Sequence, residues 1–257
     1  MSTSASRLLD GRTALVTGAS RGIGAACARA LGRAGAAVAV NYLTSAGPAA
    51  QVVRDIEDLG SKAVAVQGDV SDFAAATALV DQAVGMLGDI DVLVCNAAGP
   101  GSFVHGPVVD AGDTIEQQVV TQLRATTHLC RLLVPAMRAR RSGSIVFIGS
   151  TESRSSAPAV PHVAVAKATQ DALMRVLAAE LGPEGIRVNT VAPGLVATDG
   201  SAAALTPQLI EAVTGSTALR RLGQAADVAD AVVALASDLS RHITGAYVPV
   251  DGGLAMH

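Results

Sequence analysis

Short, near-continuous apolar runs recur along the chain, separated by longer segments of mixed apolar and polar residues. The runs predict strands at Thr13–Thr17, Ala36–Tyr42, Ala63–Gln67, Asp91–Cys95, Ser144–Ile148, Arg187–Ala192 and Ala246–Val250. The longer segments predict helices at Ile23–Arg33, Pro48–Leu59, Ala74–Leu87, Thr114–Arg140, Ala164–Leu181 and Ala226–Ser237. Gly35 and Gly60 stop the first two. Strands that are apolar throughout belong to a parallel sheet covered on both faces. The pattern therefore predicts an α/β fold, a doubly wound parallel sheet with helices on both faces. No linker, composition shift or internal repeat marks a second domain, so residues 1–257 read as one unit. Two Ser/Gly/Pro-rich stretches, Ser150–Pro161 and Pro193–Pro207, each follow a strand. They should lie at the carboxyl edge of the sheet, where ligands bind in such folds.

Composition narrows this picture. A chain of 257 residues that is 50% hydrophobic can bury a sizeable core and is not disordered. Aromatics make up 2% of it (Phe73, Phe103, Phe147, Tyr42 and Tyr247, with no Trp), which argues against a β-sandwich. The formal net charge of -3 argues against a nucleic-acid surface. Arg138, Arg140 and Arg141 are the one tight basic cluster and read as a solvated helix end. Cys27, Cys95 and Cys130 have no metal or disulfide spacing, which suits a reducing interior. The first residues carry no apolar stretch of signal-peptide length, and no run approaches a membrane span. A soluble, cytoplasmic chain is expected.

The segment Thr17-Gly18-Ala19-Ser20-Arg21-Gly22-Ile23-Gly24 leaves the first strand and opens the first helix. Glycines there let the backbone turn sharply and approach a pyrophosphate, whose charge rests on free N–H groups at the helix N-terminus. This loop resembles the cofactor loop of the short-chain dehydrogenase/reductase family. The resemblance continues through Asp69-Val70, Asn96-Ala97-Ala98-Gly99, Ser150, Lys167, the IRVNTVAPGLVAT segment with Pro193, Gly194, Val196 and Thr198, and ITGAYVPVDGG. It covers the chain from about Asp10 to Gly253 and lies nearest the 3-oxoacyl-carrier-protein reductases.

The resemblance implies a Rossmann-type single domain that binds a nicotinamide dinucleotide through Gly18, Ser20, Arg21, Gly22, Ile23, Gly24, Asn41, Tyr42, Asp69, Val70, Asn96, Ala97, Ala98, Gly99, Lys167, Pro193, Gly194, Val196 and Thr198. Asp69-Val70 would face the adenine. A carboxylate at the end of the second strand would select NAD. Here that position reads Asn41-Tyr42-Leu43-Thr44, and Arg21 supplies a cation in the glycine loop, which favours NADP(H). The family assembles through its long helices, here Thr114–Arg140 and Ala164–Leu181, so a homo-oligomer is expected, a dimer or homotetramer, with a mixed oligomer as the alternative.

The family also protonates its substrate from a tyrosine four residues before the lysine. In this chain that position is Val163, thirteen residues after Ser150 as the family's spacing requires. An asparagine that holds a relay water in the family is matched by Gln122. A general acid supplies about 10²–10⁴-fold, whereas holding donor against acceptor supplies about 7–11 kcal/mol, so reduction can survive loss of the tyrosine. Candidate proton sources are Glu152, His162, His105 and Ser150 relaying from water. His162 stands about 140° around an ideal helix from Lys167 and reaches the site only if the helix starts late; otherwise it reads as solvated or capping. Glu152 reads either as a solvent-facing carboxylate or as a neutral acid in an apolar pocket.

Three readings remain open. One is an NADP(H)-dependent oxidoreductase acting on a ketone or a carrier-bound, polyketide-like substrate with an atypical proton donor. The others are a non-redox dehydratase, isomerase or cyclase reusing the pocket, and a catalytically silent partner subunit. Residues 195–216 read as a mobile substrate lid. His128 and Cys130 point to different helix faces, and no metal site is expected.

Overall fold

The computed structural model describes residues 7–98, 108–155, 160–198, 200–202 and 205–256. Its elements run in the order β1 (Thr13–Val16), α1 (Gly22–Arg33), β2 (Ala37–Tyr42), α2 (Ala46–Asp58), β3 (Ala63–Gln67), α3 (Phe73–Leu87), β4 (Val92–Cys95) and α4 (Gly112–Arg140). There follow β5 (Gly143–Ile148), α5 (Pro161–Leu181), β6 (Ile186–Pro193), β7 (Val196–Ala197), α6 (Pro207–Ser216), β8 (Gly223–Gln224), α7 (Ala225–Ala236) and β9 (Tyr247–Val250).

Seven strands form one sheet in the order β3-β2-β1-β4-β5-β6-β9, every neighbouring pair parallel. Residues alternate between its faces, which explains why the strands are apolar throughout. Ala14 and Val16 of β1 pack with α1, α2 and α7, while Leu15 between them packs with α3, α4 and α5. The result is a single α/β/α domain of the doubly wound kind.

The strand order reverses between β1 and β4, which are neighbours. The crevice at such a reversal is the place where ligands enter doubly wound sheets. The glycine turn after β1 and the Asn96 segment after β4 therefore meet across it. Among the described residues, no helix is long and apolar enough to cross a membrane.

Three departures from the sequence reading matter. α5 begins at Pro161, three residues earlier than expected, because proline is favoured at the first helical position. Pro207–Ser216 is a helix within the segment assigned to a lid, started by Pro207 and capped by Thr206, which accepts from the Leu209 amide at 3.2 Å. β7 and β8 form a separate two-stranded pair that no periodicity announces. The basic end of α4 is ion-paired as well as solvated: Arg138 meets Glu180 at 3.1 Å, and Arg140 meets Asp89 at 2.6 Å.

Candidate active site

The turn after β1 is held by side chains at the ends of β1, β2 and β4. The Asn96 amide donates to the carbonyls of Thr17 (2.9 Å) and Gly18 (3.1 Å). The Thr17 hydroxyl receives the Asn96 and Ala97 amides at 2.9 and 3.0 Å. Asn41 is 2% exposed; its oxygen accepts from the Gly18 amide at 3.2 Å and its nitrogen donates to Gly68 and Val66. Asn41 and Asn96 thus brace the turn. Gly18 takes φ +59, a conformation that L side chains rarely adopt. A Cβ on Gly24 would stand 2.4 Å from the Gly18 carbonyl oxygen, so helix α1 can approach the turn only with glycine there.

This cradle fits a dinucleotide phosphate. The residue preceding α1, Arg21, makes no side-chain cap and the first turn holds no acid, so amides of the helix N-terminus are open to an anion. Arg21 is exposed at the rim and in no salt bridge among the described residues. Thr198 closes over the turn, its side chain 3.8 Å from where a Gly22 Cβ would stand. Tyr42 is half-buried at the end of β2, and no carboxylate accompanies it there. Asp69 accepts from the amide and hydroxyl of Ser71 at 2.8 and 2.7 Å, and Val70 beside it is buried. Gly194 follows β6 beside Asp251, Ser20 lies in the turn after β1, and Ile23, Pro193 and Val196 belong to α1, β6 and β7. Gly99 and His105 lie outside the described residues.

Lys167 crosses the carboxyl end of β5. Its ammonium donates to the Ile148 carbonyl at 2.7 Å and to Gln170 Oε1 at 3.4 Å, which leaves the third of its donors for a ligand. Burial lowers its pKa to about 8, against the pull of Asp171 one turn further along α5. A lysine depressed from 10.5 to about 8 costs the fold about 3 kcal/mol wherever it is charged. Between those values the unfolded chain binds a proton that the folded chain does not. Stability therefore climbs as pH rises through this window and is lost as pH falls through it. Lys167→Met should raise the melting temperature of the nucleotide-free chain at pH 7 by several degrees, at roughly 2–4 °C per kcal/mol. The gain should vanish near pH 10.5. Melts showing no gain at pH 7 would contradict this assignment.

Ser150 follows β5 and heads a single 3-10 turn, Thr151–Arg154. Its hydroxyl oxygen accepts the Glu152 amide at 3.2 Å, leaving its proton free to donate. Glu152 is half-buried, and its Oε2 has no hydrogen-bond partner among the described residues. Burial raises its pKa. It is therefore not the solvated loop carboxylate that one reading of the sequence allowed.

The buried stripe of α4 changes character along its length. It is apolar from Leu129 to Met137, but at the end nearer the carboxyl edge it carries Gln118, Gln122 and Thr126. Gln118 and Gln122 are 5% and 4% exposed, and the Oε1 of each lacks a partner among the described residues. The sequence reading missed Gln118, although its spacing of four from Gln122 was the available signal. Val163 is half-buried one turn before Lys167. His162 is 1% exposed in the first turn of α5, so it is neither solvated nor freed by a late helix start, the condition for it to reach the site. His128 instead stands edge-on to Phe73, ring centroids 5.2 Å apart. Among the described residues, no group of three or more His, Cys, Asp or Glu is placed to hold a metal ion.

Comparison with known proteins gives the family. Residues 18–255 match the family model described as enoyl-(acyl carrier protein) reductase. The L-rhamnose 1-dehydrogenase (NAD(P)(+)) of Sphingomonas sp. (strain SKA58) is 39% identical over 252 residues, spanning 96% of this chain and 98% of its own. The crystal structure of a 3-oxoacyl-[acyl-carrier protein] reductase from Brucella melitensis is similar with a TM-score of 0.89 and 36% identity, over 97% of this chain and 93% of that one. A blue fluorescent protein from a metagenomic library, solved in complex with NADPH, has a TM-score of 0.87 and 35% identity over 97% of this chain and 100% of its own. With the glycine turn, Ser150 and Lys167 set at one sheet edge, the chain belongs to the short-chain dehydrogenase/reductase family.

Proposed function

We propose that this chain is an NADP(H)-dependent carbonyl reductase of ketoreductase type, acting on a ketone or a carrier-bound ketone, with Glu152 as its proton donor in place of the family's tyrosine. The observation that carries the reading is the Glu152 carboxyl. Its Oε2 is buried without a partner among the described residues, burial raises its pKa, and the residue's amide is held by the hydroxyl of Ser150 two residues before it. Val163 stands where the family has its tyrosine and offers no transferable proton.

When bound, the nicotinamide supplies the hydride. Ser150 donates its hydroxyl proton as a hydrogen bond to the substrate oxygen and so polarises the carbonyl. Glu152, whose pKa is raised by burial, delivers a proton from its protonated form to that oxygen as negative charge develops on it. Lys167 holds the nicotinamide ribose with its remaining donor. At neutral pH, with a pKa of about 8, it is charged and does so as a cation. Gln122, with Gln118, provides two unpartnered amide oxygens suited to a water that reprotonates the site. The preference for the 2′-phosphate rests on the exposed Arg21 and on the lack of a carboxylate at the end of β2.

One experiment tests both parts. Dissociation constants are measured for NADPH and NADH, and NADPH oxidation is then followed across a panel of ketones at saturating nucleotide. NADPH should bind at least about tenfold more tightly, equivalent to about 1.4 kcal/mol, and at least one ketone should be reduced above background. Equal affinities contradict the cofactor assignment. Product formed without loss of nicotinamide absorbance would put the non-redox reading in place of this one.

A further inference from the structure

By sequence Tyr247 is only a residue of the last strand. The sheet gives it a second setting. Phe147, Thr190 and Tyr247 lie side by side across β5, β6 and β9. Residues in register on neighbouring parallel strands project to the same face. Phe147 belongs to the core beneath α3, α4 and α5, so Tyr247 points toward α5 and the turn that precedes it.

There its hydroxyl donates to the Ser150 carbonyl oxygen at 3.1 Å. The same oxygen receives the Ser153 amide at 3.1 Å. The Ser153 hydroxyl lies 3.5 Å from the Tyr247 hydroxyl and donates to Asp171 at 2.7 Å. Arg154 covers the phenol ring, its guanidinium 3.6 Å from the centroid. The turn Ser150–Arg154 is thereby tied on one side to the last strand and on the other to α5, at a residue one turn beyond Lys167. Burial raises the pKa of the phenol, so it stays a donor throughout the neutral range.

We propose that Tyr247 is a positioning residue: with Ser153 and Asp171 it fixes the Ser150–Thr151 peptide, and so aims the Ser150 hydroxyl at the substrate oxygen. It takes the main-chain oxygen of Ser150 and leaves the hydroxyl for substrate. Its kinetic consequence rests on the carbonyl-reductase reading above; its mechanical consequence does not.

The test is Tyr247→Phe in the full chain at saturating NADPH, made alone and with Ser150→Ala. Because misplacement of a reacting group by about 1 Å can cost about 10²-fold, kcat should fall roughly 10–100-fold with KM and the NADPH dissociation constant within about threefold. In the Ser150→Ala background the same change should alter kcat by less than about twofold, since the group it aims is gone. An undiminished kcat, or an equal loss in both backgrounds, overturns the proposal. If the unsubstituted chain reduces no ketone, the reductase reading fails by itself and hydrogen exchange decides this one. Tyr247→Phe should then speed exchange at residues 150–155 by at least about tenfold while β1–β4 keep their rates. Unchanged rates at the turn, or acceleration throughout the sheet, overturn it.

Discussion

Gly24→Ala should weaken NADPH binding by more than about 100-fold, a loss near 2.7 kcal/mol, and lower the melting temperature as well. The added carbon would stand 2.4 Å from the Gly18 carbonyl oxygen, 2.5 Å from the Asn96 amide nitrogen and 3.1 Å from the Ala19 Cα. Two of these are backbone atoms of the phosphate turn and cannot rotate aside. The third, Asn96, is held in place by the Thr17 and Gly18 carbonyls. The turn has to shift, and with it the amides that would meet the pyrophosphate. Gly85→Ala is the matched control. That residue lies inside α3 with nothing within 4 Å of its Cβ position, so alanine should stabilise the helix by about 0.5–1 kcal/mol and leave binding unchanged. Isothermal titration of both variants with NADPH separates the two cases. Binding by Gly24→Ala within about threefold of the parent chain would show that the turn does not form the nucleotide site.

Much of this architecture could be read from the residues because the physics behind it is local. Apolar strands such as Thr13–Val16 and Ala37–Tyr42, set between helices that end at Gly35 and Gly60, fix a parallel sheet without knowledge of any contact. The glycine turn was equally plain, since its chemistry is that of the backbone. What the sequence hid depends on pairs far apart along the chain. In a linear reading nothing marks Asn41 and Asn96 as braces of the glycine turn. Only the pairing of β1 with β2 and β4 brings their amides beneath the turn. Tyr247 and Ser150 are 97 residues apart, and no periodicity encodes their hydrogen bond. The burial of His162 follows from a helix that starts at Pro161, and boundaries are the part of a helix that composition defines least. The helix at Pro207–Ser216 was accessible, because Thr206-Pro207 is a cap followed by a first-turn proline.

The second large effect falls on Glu152. Glu152→Gln keeps the shape and the polarity of the side chain but removes the proton it would give. If it is the general acid, the rate of ketone reduction should fall about 10²-fold or more, the lower end of what a positioned acid contributes. Nucleotide affinity should not change, because Glu152 follows β5, two residues beyond Ser150, and is not part of the phosphate turn. The pH dependence follows from the sign of the shift. Burial raises the carboxyl pKa, so the acid is protonated and active below that raised value and loses its proton as pH increases through it. The parent chain should show a rate plateau at low pH that declines as pH rises, with the transition above the ordinary range of a glutamate. The same linkage makes the folded chain bind a proton more tightly than the unfolded chain, so Glu152 contributes stability at low pH that is lost as pH rises. Placing a phenol one turn before Lys167, by Val163→Tyr in the Glu152→Gln chain, should restore part of the rate, since it returns a proton source to the same face of α5.

The decisive measurement is the pH profile of single-turnover NADPH oxidation by the parent chain and by Glu152→Gln, on whichever ketone the parent chain reduces fastest. Glutamate acting as the acid predicts a low-pH plateau in the parent that is lost in the variant, together with a fall of about 10²-fold on that plateau and an unaltered NADPH dissociation constant. A variant that reduces the ketone at the parent's rate, with the same pH profile, would contradict the assignment of Glu152 in place of the tyrosine.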